Sequence, residues 1–169
     1  MPADPESPYR HARRAFIAAC EAAHVDPIAR LHPAKAPDGM PLFMDCAALG
    51  PRLAQRALLV VALGAQGSQV LTALLHEPAP TDARLVLVHA LDPAAFAGIE
   101  GDAGWPAAML GAVATEDLPK VRELAVLALD GPGETLETVL RAALPQAAIT
   151  LLTPAADPRT AVAVFFAAG

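Results

Sequence analysis

Gly64-Ala65-Gln66-Gly67-Ser68-Gln69 follows directly on the apolar run Ala57 to Leu63. A buried strand would turn into a helix there, the usual place for a site in an open α/β sheet. Ser68 follows a glycine at that turn, as an exposed nucleophile would. A nucleophile elbow needs Gly-x-Ser-x-Gly, however, and this stretch reads Gln66-Gly67-Ser68-Gln69-Val70. The simpler reading of Ser68 is a helix-capping serine. His89 ends another apolar run, three residues before Asp92. It could act as a base or a ligand, or be a hydrogen-bonded histidine of the frame. Gln66, Ser68, Gln69, His89 and Asp92 together make a candidate polar, metal-free pocket at the carboxyl ends of the strands. The remaining histidines, His11, His24, His32 and His76, show no ligand spacing, and His76 suits the end of a helix. Gly131-Pro132-Gly133-Glu134 precedes a helix, but Asp130 and Glu134 beside it would repel phosphate, so it reads as a tight turn.

The elements that must position these residues alternate. Ser7-Pro8 starts a helix, and Tyr9, Ala12, Phe16, Ala19, Cys20 and Ala23 recur on one face of it. Arg10, Arg13 and Arg14 lie off that face and read as a solvated surface. Ile28 to His32 and Leu42 to Cys46 are expected as a hairpin around Asp38-Gly39, kept at a sheet edge by Pro33, Pro37 and Pro41. Ala57–Leu63, Leu85–Leu91, Leu124–Leu129 and Ala148–Leu152 are short runs, apolar on both faces, as in a covered parallel sheet. Ala161 to Phe166 is expected as a fifth such strand. Ser68–His76, Ala107–Thr115 and Thr135–Ala143 read as crossover helices, and residues 98–106 and 153–160 as surface loops. The pattern predicts a three-layer α/β/α domain with a mostly parallel sheet, an N-terminal helix and an edge hairpin. It spans residues 1–169 as one unit, with 1–7 expected to be flexible.

Composition excludes several functions. Hydrophobic residues make up 54% and charged residues 18%, so the chain can build a core. A net charge of −6 and a pI of about 5.2 disfavour nucleic acid as a partner. No apolar run is long enough for a membrane span, and Met1 to Glu6 does not read as a signal peptide. A cytoplasmic, bacterial protein is the expectation. Cys20 and Cys46 sit among apolar neighbours and read as buried, unlinked thiols.

Several segments, in a shared order, resemble one family. The turn Gly64 to Gln69 resembles Gly-Thr-His-Gly-x-Glu, in which the His and Glu hold zinc. Asp38-Gly39, Leu42 and Asp45 resemble that family's Asp-Gly-x-x-Leu-x-x-Asp hairpin. Val88-His89-Ala90-Leu91-Asp92-Pro93-x-x-Phe96 resembles its Val-His-Ala-Leu-Asn-Pro-x-Gly-Phe strand end. The family is the branch of the zinc carboxypeptidase-like superfamily known as domain of unknown function 2817. The match is nearly continuous from Tyr9 to about Gly98 and returns at Leu129-Asp130-Gly131.

The resemblance implies a shortened zinc-carboxypeptidase-like core whose metal-site positions are Gln66, Gln69 and Leu129. Two neutral amides and a leucine replace the ligands, so no metal and no other cofactor is expected. The chain has no asparagine for the family's Asn-Arg carboxylate clamp. It has no glutamate after Glu137, where a general base would stand, and only Asp157 remains as an acid. The expectation is a catalytically inactive relative that works by binding a protein partner, a second copy of itself or a small ligand. One alternative is a metal-free hydrolase using the cluster around Gln66 and His89. Another is a hydrolase site completed by a second chain.

Overall fold

A computed structural model describes residues 7–102, 104–130, 134–152 and 158–167. The expected turn at 131–133 and Asp157 lie outside the described residues. Six helices and six strands follow one another among the described residues. They are α1 (Pro8–Ala22), β1 (Ile28–Lys35), β2 (Pro41–Leu49), β3 (Arg56–Ala62), α2 (Ala65–Leu74) and β4 (Arg84–His89). Then come α3 (Pro93–Phe96), α4 (Gly104–Asp117), β5 (Glu123–Leu129), α5 (Glu134–Ala143), β6 (Ala148–Leu151) and α6 (Pro158–Ala167).

The strands form one sheet in the order β1-β2-β4-β3-β5-β6. The pairs β4–β3, β3–β5 and β5–β6 are parallel, while β1–β2 and β2–β4 are antiparallel. Helices cover both faces, which makes the architecture three-layered α/β. On one face α1, α2 and α6 pack Phe16, Cys20, Leu71, Leu74, Val162 and Phe165 onto Leu58, Val60, Leu87 and Leu127. On the other, α4 and α5 pack Leu110, Val113, Leu136 and Leu140 onto Leu59, Val61, Val86 and Val126. Residues alternate between these two clusters along each central strand, as period-two geometry demands.

The N-terminal helix starts as expected: Ser7 Oγ accepts from Arg10 N–H at 3.2 Å, and Pro8 opens the first turn. The hairpin lies at the edge, but only β1 is the edge strand. β2 runs on to Leu49 and is enclosed between β1 and β4. Pro41 does not keep β2 outside, because it sits at the strand's first residue, where proline is tolerated.

The segment Ala161 to Phe166 is helical, within α6, and not a fifth apolar strand. A short apolar run has no period that separates strand from helix. Pro158 at the start, an allowed first helical position, was the available signal. The expected loop 98–106 is shortened, because α4 begins at Gly104. The four-residue helix α3, capped by Asp92, had not been anticipated.

Both cysteines are free and buried. Burial first, then the nearby Asp45 charge, pushes the Cys20 thiol up to about 11. Burial, then Asp117, raises Cys46 further. Neither thiol is a nucleophile at neutral pH.

Candidate functional site

The turn after β3 is built as its sequence suggests, with one difference at its serine. Gly64 is the N-cap of α2 and provides no side chain. Ser68 is not the cap: its N–H donates to Gly64 O at 3.0 Å, so it already belongs to the helix ladder. A fourth-position residue faces inward here, and Ser68 is buried together with Gly67 and Leu71. Gln66 and Gln69, three residues apart, share the solvent-exposed face.

The buried serine meets the buried histidine. Ser68 Oγ lies 2.7 Å from His89 Nε2, which joins α2 to the end of β4. His89 is fully enclosed, and the Phe16 ring of α1 stacks on it with centroids 4.8 Å apart and planes 18° apart. Burial first, and then the positive charge of Arg13, pulls the His89 pKa down to about 4. The ring is therefore neutral at pH 7. Its Nδ1 has no hydrogen-bond partner among the described residues. Either tautomer leaves one buried donor without an acceptor among the described residues, the Nδ1–H when Ser68 donates or the Ser68 O–H when His89 donates.

Of the five expected pocket residues, the structure brings Ser68 and His89 together. Gln66 and Gln69 face solvent, and Gln69 lines a cavity of about 250 Å³ between α1 and α2 with Pro8, His11, Ala12 and Ser68. Asp92 caps α3, its Oδ1 accepting from Ala95 N–H at 3.1 Å. Leu129 is the last residue of β5 and packs into the core beside Leu127.

The residue after Leu129 matters more than Leu129 itself. Asp130 takes a left-handed backbone conformation, φ 66°, which aspartate tolerates better than most residues. Its Oδ2 then accepts from Gly64 N–H at 3.2 Å and Gly67 N–H at 2.5 Å. A carboxylate thus sits on the N-terminal end of α2, where backbone donors and the helix dipole favour an anion. Ala90, just past β4, is also left-handed at φ 57°. The two strands flanking β3 therefore both turn away sharply beside the Gly64 turn. Sequence reasoning treated Asp130 only as a local charge. Its position directly after the Leu129 strand end was the signal that could have found it.

Gly67 is required by this contact. A Cβ there would lie 2.7 Å from Asp130 Oδ2, 2.9 Å from Leu129 Cβ and 3.0 Å from Ala62 Cβ. Gly67→Ala should cost about 1–3 kcal/mol by overpacking. At roughly 2–4 °C per kcal/mol for a chain of this size, thermal unfolding would read the loss directly. An unchanged Tm would show that the turn can shift away from Asp130.

A second carboxylate, buried where Asp130 is exposed, lies beside the end of β4. Asp45 on β2 pairs in register with His89 on β4. It is fully buried, and Arg13 of α1 holds both its oxygens, Nε to Oδ2 at 2.7 Å and Nη2 to Oδ1 at 3.0 Å. The Arg13 guanidinium also lies 4.4 Å above the Phe43 ring. Helix α1 therefore closes the site with Phe16 on His89 and Arg13 on Asp45.

The zinc held by the family that the sequence resembles does not fit these residues. The three corresponding positions hold two solvent-facing amides and a buried leucine, which offer no anionic or imidazole donor. Among the described residues, no group of three or more His, Cys, Asp or Glu side chains is placed to hold a metal ion. No helix there is long and apolar enough to cross a membrane.

The family model described as "Protein of unknown function (DUF2817)" matches residues 6–100, more than half of the chain. No curated protein sequence matches significantly. Among solved structures, a glutaminyl cyclase from Porphyromonas gingivalis is similar at 14% identity and a TM-score of 0.44. The likeness covers 96% of this chain and 72% of that one. Carboxylesterase CesB (YbfK) from Bacillus subtilis is similar at 11% identity and a TM-score of 0.39, over 92% of this chain and 54% of that one.

Proposed function

The chain belongs to the DUF2817 family, and we propose that within it this protein acts by binding, as a partner subunit without peptidase chemistry. In this reading the frame descends from a zinc carboxypeptidase-like core. The observation that carries it is the Asp130 carboxylate on Gly64 and Gly67 N–H. The turn that would present metal ligands is instead tied down by the chain's own acid, above a leucine in the third position. Binding of a small ligand remains part of the same proposal, and the cavity between α1 and α2 is the place for it.

The Ser68–His89 contact favours a second reading, a metal-free hydrolase. Two features weigh against it. The Nδ1 of His89 has no orienting carboxylate, and Phe16 seals the ring from solvent. The contact is better explained as a polar pin between α2 and β4.

Elemental analysis of the purified full chain and ester and peptide hydrolysis assays test both. The expected results are zinc far below one equivalent and background hydrolysis, the same in Ser68→Ala. One equivalent of zinc would overturn the metal-free proposal. Turnover abolished by Ser68→Ala would replace it with the hydrolase reading.

A further inference from the structure

The Ser68–His89 pair lacks one acceptor, whichever way its proton lies. The two arrangements differ in what can reach the unmet donor. His89 is fully enclosed beneath Phe16, so no molecule from solvent reaches its Nδ1. Ser68 lines the cavity between α1 and α2. An acceptor placed in that cavity completes the arrangement in which His89 donates to Ser68. The other arrangement cannot be completed from there. Burying a donor without a partner is costly, so the cavity rewards a molecule that brings an acceptor.

Thr72 lines the same cavity one turn further along α2. Its hydroxyl donates its one proton to Ser68 O at 3.0 Å, so toward the cavity it can only accept. A donor and an acceptor therefore stand four residues apart on one helix face. The walls beside them, Ala12 and Ala15 of α1 and Ala65 of α2, are apolar. A primary amide or a lactam carries a C=O and an N–H on one edge. Its carbonyl matches Ser68 and its N–H matches Thr72.

Size and charge narrow the ligand further. The cavity of about 250 Å³ corresponds to roughly eight water volumes, which suits a molecule of few non-hydrogen atoms. Among the described residues no arginine, lysine, aspartate or glutamate lines it. An ion entering it would shed water without meeting a counter-charge. His11 and Gln69 stand at the exposed rim.

We infer that the cavity between α1 and α2 binds a small uncharged amide, whose carbonyl accepts from Ser68 and holds His89 as the Nε2–H tautomer. The inference rests on the small-ligand part of the proposed function and names the chemistry of that ligand.

The test is an NMR titration of the full chain with three probes. Pyrrolidinone is the amide, cyclopentanone is the same ring without the N–H, and propionate is an anion. Pyrrolidinone should shift the Ala12, Ala65 and Thr72 signals with a millimolar Kd, the scale for so few atoms. Its complex should show the His89 ring as Nε2–H. Cyclopentanone should bind roughly tenfold more weakly, the cost of one missing hydrogen bond, and propionate more weakly still. Thr72→Val should bring pyrrolidinone down to the level of cyclopentanone and leave cyclopentanone unchanged. Ser68→Ala should weaken both; if that variant does not fold, Thr72→Val and the His89 tautomer decide. Equal affinity for the two rings, a preference for propionate, or an Nδ1–H ring in the complex overturns the amide assignment while leaving the cavity a ligand site. No shift with any probe overturns the site itself. The partner-subunit reading then still stands or falls on its zinc and hydrolysis results.

Discussion

Arg13→Ala should destabilise the fold by about 3–5 kcal/mol, the range for removing one partner of a buried ion pair. Asp45 is fully buried and receives both of its side-chain hydrogen bonds from Arg13. Without the guanidinium the carboxylate is left charged and dry. Total stability of a domain is only about 5–15 kcal/mol, so the loss is a large share. Urea unfolding would measure it. The protein contains its own control: Arg10 grips Asp38 with the same two-pronged geometry, but Asp38 is exposed. Arg10→Ala should change stability little, because solvent screens that pair. Arg13→Met combined with Asp45→Leu should recover most of the loss, since the cost comes from the orphaned charge. Equal effects of Arg13→Ala and Arg10→Ala would refute the burial argument.

Acidification should remove about 3 kcal/mol of stability through His89 alone. The ring ordinarily titrates near 6.5 and is held at about 4 in the fold by burial and by Arg13. Between these values the unfolded chain binds the proton and the folded chain does not. Stability therefore rises with pH across that window and is lost as pH falls through it. The gap of roughly 2.5 units at 1.36 kcal/mol each sets the size. The groups around His89 are Ser68 from α2, Phe16 and Arg13 from α1, and Asp45 beside it in register on β2. Unfolding measured at pH 7, 5.5 and 4 for wild type and His89→Gln would isolate the contribution. Gln can still hydrogen-bond to Ser68 Oγ but cannot titrate, so its curve should be flatter. Parallel curves would mean that the histidine is not held neutral.

Much of the frame was legible because its signals are local. Continuous apolar runs marked β3, β4, β5 and β6 to within a residue or two, and Ser7-Pro8 marked the start of α1. The mistaken strand at Ala161 to Phe166 was an apolar stretch with no decisive period. Serine favours a helix cap, yet Gly64 holds that place and tertiary contact with His89 takes the Ser68 hydroxyl inward. At the site, the turn and His89 could be read as residues in sequence. Their partners could not. Asp130 reaches Gly64 across 66 positions, and Arg13 reaches Asp45 across 32. Such pairs arise from the strand order, which no short motif encodes.

The Asp130 carboxylate also shapes how molecules approach from a distance. A bare α2 N-terminus would offer a positive dipole end to arriving anions. Asp130 cancels that attraction at its source, and the chain as a whole carries a net charge of −6. An arriving carboxylate therefore finds the α2 N-terminus already occupied, and to dock there it would have to displace an anion that is tethered to the chain and so always present at high local concentration.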